Sequence, residues 1–248
     1  MDRMIHTALS AMRGAMARQT TTANNLANAN TAGFRAELAG VRPLWITGGQ
    51  LAARAPSSEE VTSADMTAGA VTPTGRDLDV AIGGDAMLAV QGDDGDEAYT
   101  RRGDLALSDS GLLTTGDGHP VLGEGGPITL PPYDSLNIAG DGGVYIIPAG
   151  SDPTAQPQLV DRLKLASPTG TRIAKSLDGL FRVQGGGALP ADPDAKVKSG
   201  SLEGSNVNAS TALVDMIDAS RAWDTQVRLL TTAKELDTSA TDLMRLPD

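Results

Sequence analysis

The chain has 248 residues, a formal net charge of −11 and no cysteine. This length suits one large domain or two smaller ones, and the acidic excess argues against a nucleic-acid-binding surface, which needs clustered Lys and Arg. The lack of cysteine excludes disulfides, thiolate metal sites and cysteine nucleophiles, and no apolar run reaches the roughly 20 residues of a membrane-spanning helix.

Residues 2–28 are predicted to form a helix, because apolar side chains recur along them every three or four positions. This is the spacing of a heptad seam, a narrow apolar stripe that suits a partner helix, and Gln19 is its polar interruption. The seam consists of Ile5, Leu9, Met12 and Met16 and continues to Leu26. Three successive threonines at 20–22 lower helix propensity. The Asn residues and Gly33 that follow predict the end of the helix.

The middle of the chain has a different character. Residues 36–75 contain several Gly, Pro and Ser residues and are predicted to form an extended linker. From 76 to 199, short apolar runs alternate with Gly- and Asp-rich turns, which is typical of antiparallel strands joined by hairpins. Strands are predicted at 78–82, 86–91, 105–107, 136–139, 144–147, 159–165 and 180–184. Residues 76–199 therefore predict an all-β domain.

Residues 200–248 are predicted to contain a second helix, which starts near Asn208 or Ser210 because either residue is a good N-cap. Its apolar seam again steps by three and four, with Ser220 as the polar break. The seam consists of Leu213, Met216, Trp223, Val227 and Leu230. Neither terminal helix has the wide apolar stripe of a helix buried in a globular core, so each is expected to need a partner.

The predicted fold class is α+β. The helical segments 1–35 and 200–248 are expected to pair as a coiled-coil-like assembly domain, with the linker 36–75 and the all-β domain 76–199 inserted between them. A β domain between two helices that need partners is typical of a subunit that polymerises through its ends.

Two stretches resemble the terminal signatures of the flagellar rod and hook protein family. They are ANNLANANTAGFR at 23–35 and GSLEGSNVNASTALVDMIDASRAWDTQ at 200–226. Residues 69–91 and 99–123 are similar to the opening of the family's β domain, so the resemblance covers nearly the whole chain in the family's order. The chain departs from the family pattern at 85–88, where Gly-Phe-Phe commonly follows an Ala-Ile-x-Gly run, and at Trp223, where an aromatic residue, often Tyr, is usual.

The resemblance implies that the two signatures serve assembly. The assembly-motif residues it identifies are Asn24, Asn25, Leu26, Ala27, Asn28, Asn30, Thr31, Gly33 and Phe34 after the first helix, and Ser205, Asn206, Val207, Asn208 and Arg221 at the second. In this family the terminal helices form the inner tube of the rod and the β domain packs outside it. Family members leave the cell through the flagellar type III export apparatus, which agrees with an N-terminus (5–16) that is amphipathic and lacks a uniformly apolar signal region.

Within the family, residues 1–19 and the FRAEL at 34–38, after the Asn motif, resemble the proximal-rod proteins most, with the distal-rod proteins as the near alternative. The implied partners are further copies of this chain, proximal- and distal-rod subunits and the type III export apparatus. The implied location is the periplasmic rod of the flagellar basal body. No cofactor, metal, nucleic acid or membrane span is expected.

No pattern in the sequence predicts catalysis. His6 and His119 lack a nearby acid and nucleophile in a recognisable arrangement. The acidic run 93–97 lacks the alternating ligand spacing of a calcium loop and is expected to be a solvated hairpin. Two other classes stay open at this point. The first is a secreted binding protein whose helices only hold its β domains in a small oligomer. The mass of the isolated protein in solution would reveal such an oligomer. A polysaccharide hydrolase would need a pair of carboxylates that nothing in the sequence singles out.

Overall fold

The structure, a computed structural model, describes residues 2–43, 57–152 and 155–243. The chain divides into two compact units, each made of separate pieces of sequence. Unit 1 comprises Met1–Asn28, Glu37–Ala64 and Val207–Asp248, and unit 2 comprises Ala29–Ala36 and Asp65–Asn206. Two helices and many short antiparallel strands confirm the α+β class with an inserted all-β domain.

Unit 1 contains both helices, α1 (Asp2–Ala27) and α2 (Ala209–Leu243), which contact each other. The threonines that weaken α1 are accommodated within it, since Thr21 is buried and the Thr20 hydroxyl donates to the carbonyl of Met16 (3.0 Å). Asn208 caps α2, because its side-chain oxygen accepts the amide of Thr211 (3.1 Å). At about 1.5 Å per residue, the 35 residues of α2 extend about 52 Å.

The segment predicted as an extended linker contains two paired strands. Strands β1 (Glu37–Pro43) and β2 (Ser57–Ala64) are antiparallel, with a bulge between Leu38 and Ala39, and both contact α1. Residues 44–56 of that segment lie outside the described residues. The pairing corrects the linker prediction for residues 37–43 and 57–64. The sequence of β2, SSEEVTSA, has too weak an apolar pattern to predict a strand, and its contacts come from the partner strand and α1.

Unit 2 is built from fourteen strands among its described residues. They are β3 (Val71–Pro73), β4 (Val80–Ile82), β5 (Met87–Gln91), β6 (Glu97–Thr100), β7 (Leu105–Leu107), β8 (Leu113–Thr115), β9 (Tyr133–Ile138), β10 (Gly143–Pro148), β11 (Gln158–Arg162), β12 (Leu165–Ala166), β13 (Ile173–Lys175), β14 (Phe181–Val183), β15 (Val197–Ser199) and β16 (Ser201–Glu203). They form a five-stranded sheet in the order β12-β5-β6-β14-β13, a three-stranded sheet in the order β11-β10-β9, and the pairs β15-β4, β16-β3 and β7-β8.

The core of unit 2 is aliphatic, as the low aromatic content predicts. Val80, Leu88, Leu105 and Leu113 are fully buried and belong to one continuous cluster. Tyr99 is the largest fully buried aromatic side chain among the described residues of unit 2, and its hydroxyl donates to Glu97 (2.7 Å) and accepts the amide of Leu189. Burial raises the pKa of Tyr99, so the hydroxyl keeps its proton and its role as a donor.

Unit 2 extends beyond the predicted β domain at both ends. Residues 29–36 and 200–206 belong to it, although the sequence analysis placed them with the terminal helices. The reason lies in strand pairing: β16 pairs with β3, and the amide of Gly33 donates to the carbonyl of Glu203 (2.7 Å). The segments that follow α1 and precede α2 are therefore held together within unit 2.

Candidate assembly site

The two signatures of the sequence analysis meet at a cluster of buried charges in unit 2. Glu203 lies between two arginines, with its Oε1 2.6 Å from Nη2 of Arg35 and its Oε2 2.6 Å from Nη2 of Arg101. All three side chains are between 1% and 3% exposed. Oε1 of Glu203 also accepts the amide of Gly69 (2.9 Å). The carboxylate therefore binds three otherwise separate parts of the chain.

Arg101 is the most heavily bonded member of this cluster. Besides its pair with Glu203, its guanidinium donates to the backbone carbonyls of Ile82, Gly84 and Ala86, at 2.6 to 2.8 Å. Burial lowers the pKa of Arg101, and the charge of Glu203 opposes that shift. A guanidinium is rarely neutral in a protein, so the cluster holds two cations and one carboxylate.

Gly33 approaches the backbone of Arg101 so closely that no side chain fits. Its φ is +66°, a conformation that favours glycine. A Cβ at this position would lie far inside contact distance of the carbonyl group of Arg101. Both features require glycine, which explains its place in the first signature.

Two of the signature asparagines bind backbone groups as a neighbouring strand would. In unit 2, the side-chain oxygen of Asn206 accepts the amide of Ala36 (2.8 Å), and its Nδ2 donates to the carbonyls of Asp65 (2.8 Å) and Thr67 (3.0 Å). In unit 1, Asn25 bonds both backbone groups of Glu37, at 2.8 and 2.9 Å. Only an amide side chain offers both a donor and an acceptor in this geometry.

The other assembly-motif residues have simpler surroundings. Asn28 closes α1, since its amide and its side chain both donate to the carbonyl of Asn24 (3.1 and 2.9 Å). Phe34 lies beneath Lys175, whose Nζ is 3.8 Å from the ring centre. Leu26, Thr31, Ser205 and Val207 are half-buried, and Ala27, Asn30, Asn208 and Arg221 are exposed.

The roles of Arg35, Arg101 and Glu203 do not follow from any pattern in the sequence. Arg35 and Glu203 stand inside the quoted signatures, but their spacing gives no hint that they meet. The sequence feature that could have indicated the cluster is the pair Arg101-Arg102, two adjacent basic residues in an otherwise acidic region. A buried partner for one of the two was a reasonable expectation.

The seam of α1 is not the face that this helix buries in unit 1. Leu9 is 41% and Met16 59% exposed, and Met12 is half-buried, whereas Ala15 and Thr21 are buried. The side chain of Ile5 lies outside the described residues. At about 100° per residue, the mean direction of Ala15 and Thr21 lies roughly 150° from that of Leu9, Met12 and Met16, so α1 buries nearly the opposite side from its predicted seam.

The seam of α2 is displaced in a similar way. Ala212, Ala219 and Ala233 are buried at heptad spacing, while Leu213 and Val227 are exposed. Met216, Trp223 and Leu230 are half-buried and lie beside the alanine face. Small residues therefore occupy the most buried positions of both helices, and the described large apolar side chains of the two seams are half-buried or exposed.

The outward apolar side chains of α2 form a larger set than the predicted seam. Those with more than a third of their surface exposed are Leu213, Val214, Ile217, Val227, Leu229 and Leu236. Isolated exposed leucines are ordinary, but a helix that exposes six large apolar side chains indicates a binding surface.

Chemical groups that would suit catalysis or metal binding are sparse. Among residues 2–43, 57–152 and 155–243, no three His, Cys, Asp or Glu side chains are placed to hold one metal ion. His119 lies 3.6 Å from Asp93, and the side chain of His6 lies outside the described residues. In the described part of the chain, no helix combines the length and the apolarity needed to cross a membrane.

Replacing Asn206 by aspartate is expected to lower the free energy of unfolding by about 1–3 kcal/mol. The variant keeps the acceptor for Ala36 but loses both donor bonds and points a carboxylate at two carbonyls. Urea denaturation followed by circular dichroism measures the change. Asn137→Asp, the same replacement at an exposed strand position, serves as the control and should change stability by under about 0.5 kcal/mol. Equal denaturation midpoints for the two variants would exclude the proposed role of the Asn206 amide.

Comparison with known protein families gives three consecutive matches. The family described as flagella basal body rod protein matches residues 5–35. The flagellar hook protein FlgE/F/G D1 domain matches residues 81–146. The flagellar basal body rod FlgEFG protein C-terminal family matches residues 198–243. The first and last matches contain the two signatures that meet at Glu203.

Full-length relatives agree with these matches. The flagellar basal-body rod protein FlgF of Salmonella typhimurium is 42% identical, over 99% of this chain and 100% of the relative. FlgF of Escherichia coli is 40% identical over the same shares. The flagellar basal-body rod protein FlgG of Bacillus subtilis is 30% identical, again over 99% of this chain and 100% of the relative.

Proposed function

The chain belongs to the family of flagellar basal-body rod proteins, and from this membership we propose that it is a FlgF-like structural subunit of the proximal rod, which polymerises through its terminal helices. The identity of 40–42% to FlgF relatives, against 30% to a FlgG relative, favours the proximal over the distal rod. The role is structural and not enzymatic. Other rod subunits are its partners.

The observation that carries this proposal is the division of each terminal helix into two faces. Ala15 on α1 and Ala212 and Ala219 on α2 are buried, so the contacts within the chain use small residues. Leu9, Met16 and the apolar set of α2 remain at the surface. Burying about 25 cal/mol per Å² of such surface against a neighbouring subunit would stabilise an assembly.

The predicted heptad seams thereby acquire a role between subunits. Leu9 and Met16 with Leu213 and Val227 are the exposed members of the seams, and we assign them to contacts with helices of neighbouring copies. Contacts that join two different surfaces of identical subunits give helical filaments when the rotation between subunits does not close a ring. A rod is an assembly of this kind.

Export and location follow from the same proposal. The subunit reaches the periplasmic part of the basal body through the flagellar type III apparatus. The threonine-rich end of α1 and the narrow apolar faces of both helices favour a chain whose ends order only on docking. This behaviour suits passage through a narrow channel.

Deletion of the gene tests the role directly. Electron microscopy of basal bodies is expected to reveal the membrane-embedded base without rod or hook, and the cells are expected not to swim. Deleted cells that swim with complete rods would overturn the proposal.

A charge on the exposed helix surface tests the mode of assembly. Leu213→Glu is expected to remove the protein from basal bodies and to abolish swimming, because a carboxylate is costly to bury against a neighbour. Leu159→Glu is the matched control, since Leu159 on β11 is 52% exposed and Leu213 is 49% exposed. Swimming and immunoblots of purified basal bodies measure both variants. Normal incorporation of the Leu213 variant would count against assembly through α2.

A further inference from the structure

Unit 2 contains a hollow of about 700 Å³, within the range of ligand-sized pockets. Its apolar lining includes Leu122, Leu163, Leu165 and Pro193. Leu165 belongs to β12, and Ala191, which also lines the hollow, bridges to Ala166 of the same strand. The hollow therefore lies at the β12 edge of the five-stranded sheet.

The charged groups that line the hollow are predominantly acidic. Four carboxylates face it, from Glu97, Glu124, Asp141 and Asp192, against the basic groups of Arg162 and Lys164. Lys164 pairs with Glu97 (2.7 Å) and Arg162 with Asp141 (3.1 Å). The lining thus carries an excess of two negative charges and favours an occupant that is apolar at its tip and basic around it.

A side chain of that description stands at the opposite edge of the same sheet. Leu177 is fully exposed at the tip of the β13–β14 hairpin. The turn is fixed by bonds from Ser176 N to Leu180 O (2.8 Å), from Gly179 N to Ser176 O (3.0 Å) and from Leu180 N to the carboxylate of Asp178 (3.0 Å). A leucine on a preorganised turn loses little conformational entropy when it is buried by a partner.

The hairpin is also a basic exception in an acidic unit. Residues 172–183 contain Arg172, Lys175 and Arg182 against the single acid Asp178. Arg182 pairs with Asp178 (2.7 Å) and with Asp94 (3.1 Å), and Lys175 lies over the ring of Phe34. Arg172 is exposed and is the basic group of the hairpin that an acidic partner can contact. The charge of the hairpin is therefore complementary to that of the hollow.

The hollow and the hairpin cannot meet within one molecule. The strand order β12-β5-β6-β14-β13 places four inter-strand spacings between them, which is about 19 Å at 4.8 Å per spacing. An occupant that carries this hairpin must be a second copy of the chain.

We propose that the β13–β14 hairpin of one subunit inserts Leu177 into the hollow of the next. The inference rests on the proposed function, because it requires that copies assemble. It adds a contact between unit 2 of one copy and unit 2 of the next, and this contact does not involve the terminal helices. The contact joins opposite edges of one sheet, so it propagates from copy to copy instead of closing into a two-fold dimer.

The absence of native cysteine makes a disulfide test clean. Leu177→Cys and Ala191→Cys are combined in the full chain, which replaces the wild-type protein in cells, and isolated basal bodies are oxidised. Both positions are exposed, and a disulfide needs Cα atoms within about 7 Å, which the sheet forbids inside one copy. The expected product is a ladder of dimers, trimers and larger multimers that collapses to monomer on reduction.

Two controls define the result. Each single-cysteine variant can form at most a dimer. A variant that combines Leu177→Cys with Ser110→Cys, placed at the exposed β7–β8 turn, should give at least tenfold less multimer.

The outcomes separate the two proposals. A double variant that is present in basal bodies but stays monomeric, or whose cysteines couple only to another protein, overturns the hairpin contact and leaves the rod assignment standing. A double variant missing from basal bodies of cells that still swim overturns both.

Discussion

Glu203→Gln is expected to lower the free energy of unfolding by about 3–5 kcal/mol, the cost of removing one partner from a buried ion pair. Glutamine has nearly the shape of glutamate but leaves Arg35 and Arg101 buried with no opposite charge between them. The cluster already carries more positive than negative charge, and Nε and Nη1 of Arg35 have no hydrogen-bond partner among the described residues. Urea denaturation of the full chain, followed by circular dichroism, measures the loss.

Asp141→Asn is the control for this variant. It removes the charge of an ion pair with Arg162 whose side chains are 40% and 43% exposed, so it should cost about 1 kcal/mol or less. If Glu203→Gln unfolds at the same urea concentration as Asp141→Asn, the buried cluster does not hold unit 2 together.

Gly33→Ala is expected to have the second largest effect. The left-handed backbone costs a residue with a Cβ about 1–2 kcal/mol. The Cβ would also collide with the carbonyl of Arg101, so the backbone must shift at a further cost of about 1–3 kcal/mol. Since that shift moves Arg101, the alanine variant should also weaken the charge cluster.

Gly75→Ala separates the two contributions. Gly75 has a similar φ of +75°, but nothing lies within 4 Å of the position of its Cβ. This variant should therefore show only the backbone cost. Denaturation midpoints measured side by side provide the comparison, and a Gly33 variant no less stable than the Gly75 variant would mean that the collision with Arg101 is relieved cheaply.

The strands were predictable where apolar residues alternate over at least a few positions between turns. Each of the seven predicted segments overlaps a strand of unit 2. The strands that were missed are short or polar, such as β3, β13 and β16. The partners of β16 lie in β3, more than a hundred positions away, so no local pattern could indicate the pair.

The helices were predictable but their buried faces were not. Large apolar residues at heptad spacing led the prediction to Leu9, Met16 and Leu213, which are exposed. Alanines at equally regular spacing, such as Ala212 and Ala219, form the buried face. Hydropathy weights a leucine more than an alanine, and it does not distinguish a face that binds within the chain from a face that binds another subunit.

The sequence indicates where the charge cluster lies, but not which residues form its ion pairs. The signatures identify the residues around Gly33 and Asn206, but nothing in the sequence relates Arg35 to Glu203. Pairing of this kind depends on the complete topology of unit 2, since Gly33 and β16 come together only when β16 pairs with β3.

The separation of Arg35 and Glu203, 168 positions apart, also sets an order of events during folding. A chain that emerges with its amino end first cannot form this ion pair until nearly all of unit 2 has emerged. Contacts between distant residues form slowly, because the loop between them loses its conformational freedom before the contact stabilises it. Until that moment Arg35 and Arg101 remain solvated, and the signature residues around them stay accessible. The 168 positions between Arg35 and Glu203 therefore delay the formation of this ion pair until most of unit 2 has emerged.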